Sequence, residues 1–131
     1  MNSKIEFVLD SAALIALVSL EPGCQLVSDL VARSAISTVN LAETVNKLMQ
    51  KSFTAEEVRN FLSPLELHVE DWTTDMAYAS AEFCRFNKSH GLSLGDRACL
   101  TLAKRLHATA VTCDRAWRRL PHLGVRVMMF R

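Results

Sequence analysis

The chain of 131 residues is half apolar and 22% charged, a balance that excludes a disordered segment, a collagen-like repeat and a disulfide-dense miniprotein. Its formal charge is only +1, yet residues 1–95 carry 7 basic and 12 acidic side chains while residues 96–131 carry 8 basic and 2 acidic. The basic C-terminal third is placed to meet an anion, and the length suits a single domain over residues 1–131.

In chain order, Ile5–Leu9 is a short apolar run rich in strand formers that stops at Asp10, the pattern of a buried strand. Ser11 is placed to cap a helix from Ala12 to about Leu20, which Pro22-Gly23 closes. That stretch is about half as long as a bilayer crossing requires, and Glu6 and Asp10 spoil it as a secretory leader. No membrane partner and a cytoplasmic location are expected. A second helix follows from about Cys24 to Ala32, then a short strand at Ala35–Ser37. Ser37 or Thr38 caps a helix whose apolar stripe is Leu41, Val45, Leu48 and Met49. Thr54, with Glu57 three residues on, is a capping-box start for a helix that ends near Ser63-Pro64. Glu66–Val69 alternates as a strand does, and Thr73 or Thr74 opens a helix to about Asn87. After a break at His90-Gly91, Ser93 and Asp96 form a second cap pair, and the helix behind them is expected to bury Leu94, Ala98, Leu102 and Leu106. Ala110–Cys113 is a strand ending at Asp114, a helical turn surrounds Trp117, and Gly124–Met129 supplies a last strand. Strands separated by helices, with no hairpin signals, give an α/β fold on a mainly parallel sheet of four to five strands.

Two acids fall at the same structural address: Asp10 ends the first strand and Asp114 the fourth. In an open parallel sheet ligands bind beyond the carboxyl ends of the strands, and Asp96 opens a helix, where polar ligands also gather. Carboxylates collected in one place require a cation or take up protons, and an all-oxygen set points to Mg2+ or Mn2+. Each acid also has a structural use. Asp96 can complete a capping box and Asp114 can cap the turn that follows. Glu43 lies opposite the Leu41/Val45/Leu48 stripe, which by periodicity places it on a solvated face. The four cysteines (Cys24, Cys84, Cys99 and Cys113) show no C-x-x-C spacing, sit beside apolar neighbours and read as reduced and buried. Neither a zinc-ligand spacing nor a glycine-rich phosphate loop is present. Ser11-Ala12 after Asp10 argues against an Asp-x-Asp phosphatase.

Four segments occur in order: Asp10 after its strand, Ser37-Thr38-Val39-Asn40-Leu41-Ala42-Glu43, Gly91-Leu92-Ser93-Leu94-Gly95-Asp96-Arg97-Ala98-Cys99-Leu100, and Thr112-Cys113-Asp114-Arg115-Ala116-Trp117. Together they resemble the PIN-domain family, in particular the VapC-type toxin ribonucleases of type II toxin–antitoxin pairs. The resemblance covers essentially the whole chain, and the Leu-Ser-Leu-Gly-Asp-Arg-Ala block is its most specific part. It implies a three-layer α/β/α sandwich and a Mg2+- or Mn2+-dependent endoribonuclease. It also implies a quartet of metal-holding, catalytic acids: Asp10, Glu43, Asp96 and Asp114. Glu43 enters that set by resemblance and against its periodicity. A hydroxyl directly after the first acid, at Ser11, departs from the Asp-x-Ser often found there. The family's partners are RNA and a small antitoxin that lays a peptide across the toxin, and such proteins form homodimers or toxin–antitoxin hetero-oligomers.

Ser11, Asn40 and Thr112 are placed to hydrogen-bond the acids, with ordinary capping as the alternative. Arg97, Arg115 and Arg118, with Lys104, Arg105 and Arg119 near them, can hold the RNA backbone; a solvated helix face explains them too. Trp117 can stack on a base or pack into the last helical turn, and His107 and His122 read as surface residues. Phe53, Phe61 and Leu62 can line an apolar groove leading to the acidic site, suited to an antitoxin peptide with hydrophobic anchors and an arginine, or simply belong to the core. Two other readings stay open: a catalytically silent module that binds RNA or protein, and a PIN nuclease acting on structured DNA.

Overall fold

A computed structural model of the chain describes residues 4–86 and 90–131. In chain order it contains β1 (Phe7–Leu9), α1 (Ser11–Ser19), α2 (Cys24–Leu30), β2 (Ser34–Ser37), α3 (Thr38–Gln50) and α4 (Ala55–Leu62). There follow β3 (His68–Glu70), α5 (Thr74–Ala79), α6 (Leu94–Leu106), β4 (Thr109–Thr112) and β5 (Val127–Met129), with short 3-10 segments at Val31–Arg33, Ser80–Phe86 and Arg115–Arg119. The strands pair in the order β3-β2-β1-β4-β5, and every pair is parallel.

Successive side chains of a strand point to opposite faces, and three neighbouring strands use this in register. Val8, Ala35 and Ala110 enter one core with Phe83, Leu100, Leu102 and Trp117. Leu9, Ile36 and Val111 enter the other with Leu14, Leu17, Val27 and Phe130. A smaller cluster of Ile15, Val18, Leu48 and Val58 joins α1, α3 and α4. Helices thus cover both faces of the sheet, the expected three-layer α/β/α arrangement.

Several predicted boundaries shift. Strand β3 begins two residues later and ends one residue later than expected. The helix opened by Thr73 leaves α geometry after Ala79 and continues as the 3-10 segment to Phe86; Asn87 lies outside the described residues. The first helix is capped by Asp10, not Ser11: Asp10 Oδ1 accepts from Ala13 N at 2.9 Å. A carboxylate there both fills the open donor and meets the positive end of the helix, so it wins over a hydroxyl. Leu94 is 53% exposed although burial was expected. It is the first residue of α6, ahead of the stretch Ala98–Ala103 that is buried without interruption. That helix packs on β1, β2, β4, α3 and α5 together, so a single-stripe reading underestimates what it buries. Of the four free cysteines only Cys99 is buried; Cys84 is exposed and the other two are half-buried.

Both cap pairs form as expected, Thr54 with Glu57 and Ser93 with Asp96. The Thr54 box is exposed and bonds none of the four acids, so Thr54→Ala is expected to cost about 1 kcal/mol of stability, read as a lower urea midpoint. Among the described residues no single helix is long and apolar enough to cross a membrane.

Candidate active site

The chain builds outward from β1 through β2 to β3, then returns to β4 on the other side of β1. Such a reversal opens a crevice at the carboxyl ends of the strands on either side of it. Asp10 directly follows β1, and Asp114 lies just beyond β4.

Asp10 is 7% exposed. Its backbone N–H donates to Val111 O at 3.1 Å, which ties it to β4. Burial pushes its carboxyl up from 3.8 to about 6; hydrogen bonds from the Thr112 hydroxyl and the Ala13 N–H pull the other way, and the charges of Asp96 and Glu43 add to the rise. Thr112 works in two directions, since its oxygen also accepts from the Asp114 N–H at 3.1 Å. One hydroxyl thus links the ends of β1 and β4.

Glu43 reaches this place from α3 because that helix has a second, polar inner face. Asn40 and Thr44 are buried together with Leu48, while Met49 of the expected stripe is exposed. Asn40 Nδ2 donates to Glu43 Oε1 at 3.2 Å and to Gly95 O at 3.0 Å. Asp96 fills its capping role and also acts on its neighbour. Its Oδ2 accepts from Ser93 N at 3.0 Å in the capping box, and its charge acts on Asp10. Cys99 lies one turn further along α6, fully buried, with its thiol bonded to Val8 O at 3.8 Å. Burial raises that thiol well above its usual value, and the charges of Asp10, Asp96 and Glu43 raise it further. A buried thiol in this setting keeps its proton, and two of the three carboxylates that act on it, Asp96 and Glu43, also act on Asp10.

Asp114 has partners of its own. Its Oδ1 accepts from Ala116 N at 3.0 Å and its Oδ2 pairs with His90 Nε2 at 3.2 Å. It is not among the charges that act on Asp10 or Cys99. Among the described residues no three acidic, histidine or cysteine side chains form a ready-made cage around an ion. Asp10, Glu43 and Asp96 are near enough for the charges of the last two to act on the first, with Thr112 bonded to Asp10 and Asn40 to Glu43. Ser11 stands half-buried in the first turn of α1.

The basic residues divide. Arg97 Nη1 donates to Leu92 O at 2.9 Å, so this side chain is tied inward. Lys104 pairs with Glu82 at 2.7 Å. Arg115, Arg118 and Arg119 are exposed on the turn that follows Asp114. Trp117 is packed in the core at 1% exposure, while His107 and His122 lie on the surface.

Sequence reasoning missed two residues. His90 read only as a break between helices, since its partner Asp114 is 24 residues away and nothing local marks the pairing. Gly95 read only as part of a motif. A glycine inside a helix start was the available signal, because its backbone cost calls for a packing reason.

A PIN domain family model matches residues 7–123. No curated protein matches the chain by sequence. Among solved structures, the VapBC2 complex of Rickettsia felis bound to promoter DNA is similar at 22% identity, covering 94% of this chain and 97% of that one with a TM-score of 0.68. A toxin–antitoxin complex from Klebsiella pneumoniae is similar at 20% identity, 96% and 98% coverage and a TM-score of 0.74. DNA-bound VapBC from Salmonella typhimurium gives 20% identity, 97% and 99% coverage and a TM-score of 0.72. These likenesses repeat the parallel sheet and its helical layers. With a family model spanning from the first strand to Leu123, across all four acids, the chain belongs to the PIN domain family.

Proposed function

We propose that this chain, one PIN domain over residues 1–131, is a VapC-type toxin: a cytoplasmic, divalent-metal-dependent endoribonuclease restrained by a small antitoxin. The observation that carries the reading is Asp10. A carboxyl group that is 7% exposed and pushed up to about 6, beside two further acids, is costly to keep unless a cation relieves it. The donor set is all oxygen, which fits Mg2+ or Mn2+.

Asp10, Glu43 and Asp96 are the residues that would hold the ion. When bound, it supplies Lewis acidity, lowering the pKa of water and neutralising charge on the phosphate oxygens. Thr112 and the Ala13 N–H orient the Asp10 carboxylate, and Asn40 orients Glu43. Asp114, held by His90 and the Ala116 N–H, would orient an attacking water. In-line attack that expels the 3′ oxygen leaves a 5′-phosphate and a 3′-hydroxyl. Arg115 and Arg118 offer exposed charge to neighbouring phosphates.

The antitoxin segment would lie in an apolar groove. Leu41, Val45, Val58, Leu62, Leu67 and Val69 line a groove of about 760 Å³ between α3, α4 and β3, with Glu56 and Arg59 also on its lining. Such a groove suits an apolar peptide, but none of the four acids is on its lining, so it is not the expected groove leading into the acidic site. Phe53 and Phe61 lie in a separate depression with Val18 and Glu57, so Leu62 alone of the three expected residues lines the main groove.

The reading is tested by incubating antitoxin-free protein with total and transfer RNA in Mg2+ or Mn2+ and mapping the ends. New 5′-phosphate and 3′-hydroxyl termini are expected; intact RNA, or 2′,3′-cyclic phosphate ends, would contradict it. The double variant Arg115→Ala/Arg118→Ala is expected to bind RNA more weakly. Its salt dependence should flatten by about 0.7 in slope for each single-strand phosphate that is no longer neutralised, as measured by fluorescence anisotropy over a salt series.

A further inference from the structure

Gly95 occupies the first turn of α6 with helical backbone, so nothing in its own conformation calls for glycine. Alanine would favour a helix more at such a position. What calls for glycine is space. A methyl group on Gly95 would stand 2.5 Å from Cδ of Glu43 and closer still to its Oε1, and those carboxylate atoms are its nearest neighbours. The Glu43 carboxylate therefore lies in the volume that any side chain at position 95 would fill. Asn40 holds the same carboxylate. It is 1% exposed, and its Nδ2 bridges Glu43 Oε1 and Gly95 O. The Thr44 hydroxyl donates to Asn40 O at 2.8 Å, one turn along the same buried face.

We propose that Gly95 and Asn40 act as positioning residues for Glu43: Gly95 yields the space in which the carboxylate lies against the start of α6, and Asn40 fixes its direction beside Asp96. This rests on the reading that Glu43 belongs to the working set of acids. The neighbour that a new methyl group meets is the far end of a flexible side chain, so Gly95→Ala displaces Glu43 and leaves the fold in place. Removing Asn40 instead would strip Gly95 O and Glu43 of a buried donor and risk the α3–α6 packing, so the glycine is the cleaner probe.

The test is a double-mutant cycle on antitoxin-free protein with Gly95→Ala, Glu43→Ala and the pair, read by RNA cleavage, by Mn2+ affinity in calorimetric titration, and by thermal melting without metal. Gly95→Ala is expected to melt at or above the wild-type temperature. Its cleavage rate should fall about 10- to 100-fold, the scale of a misplaced catalytic group, and its Mn2+ affinity about tenfold, as when a ligand loses its support. The pair should be no worse than Glu43→Ala alone, within about twofold in either readout. Losses that multiply independently would overturn the proposal, as would a Gly95→Ala protein that cleaves and binds Mn2+ like wild type beside an inactive Glu43→Ala. That second result leaves the assignment of Glu43 standing. A Glu43→Ala protein that cleaves like wild type would instead overturn the assignment and the positioning role together.

Discussion

Replacing Asp10 by Asn is expected to abolish RNA cleavage and, in the same protein without metal, to make the fold more stable at neutral pH. The first effect follows from losing the charge at the most buried member of the acid set. A loss of several kcal/mol in transition-state stabilisation corresponds to roughly 10³-fold or more in rate. The second follows from the raised carboxyl. Asp10 moves from 3.8 to about 6, so the folded state holds its proton more tightly than the unfolded chain does. The stability it contributes is fully present below about pH 4 and is lost as pH rises through about 6. At pH 7.5 the ionised, buried carboxylate costs about 3 kcal/mol relative to its protonated form. Asparagine carries no charge and can still accept the Ala13 N–H, so Asp10→Asn should recover about 1–3 kcal/mol of this. Urea unfolding at a series of pH values checks the sign. The advantage of the variant should be small near pH 4.5 and grow toward pH 7.5. An Asn variant less stable than wild type at pH 7.5, or a difference that does not vary with pH, would contradict the account.

The second large effect is on metal linkage. A cation that binds only the folded state stabilises it by mass action, about 1.4 kcal/mol at tenfold excess over its dissociation constant. For a chain of this size that is roughly 4–6 °C in Tm. Chelator-treated wild type should show such a rise on adding Mg2+ or Mn2+. Asp10→Asn should show little of it, because the carboxylate is missing and the strain that the cation relieves is already gone. The rise should also shrink at pH 5, where protons compete for Asp10. An equal rise in wild type and Asp10→Asn, followed by differential scanning fluorimetry, would place any bound ion elsewhere.

These two expectations concern an acid whose position was legible from the sequence. Asp10, Asp96 and Asp114 could each be located because an acid that ends a strand or opens a helix is marked by the local pattern itself. The cap of α1 was misassigned for a related reason, since both Asp10 and Ser11 are good capping residues and only the fold decides which one faces the open donor. Glu43 was legible only through the family resemblance. A helical wheel assumes one buried face, and α3 has two, one of them built from Asn40 and Thr44 against α6. His90 was illegible because its partner lies 24 residues away, and Gly95 carried only the hint of a glycine at a helix start, with no sign of its partner 52 residues away. The fold class was more readable than the site, since it follows from the alternation of strands and helices along the chain, whereas side-chain pairing across elements leaves no periodic trace.

The same division explains the charge pattern. Overall balance hides carboxylates drawn from separate elements toward one crevice and a basic turn that begins one residue after Asp114. A cation beside the carboxylates and phosphates beside Arg115 and Arg118 would each find an opposite charge within that small region.

The most direct test of the central claim is cleavage of total RNA by wild type and Asp96→Asn purified in parallel, each with Mg2+, with Mn2+ and with chelator. Asparagine keeps an oxygen for the capping bond to Ser93 N, so the variant should fold. Cleavage by wild type with a divalent ion, and by neither protein in chelator, is the predicted result. Equal cleavage by both proteins, or cleavage that persists in chelator, would contradict it.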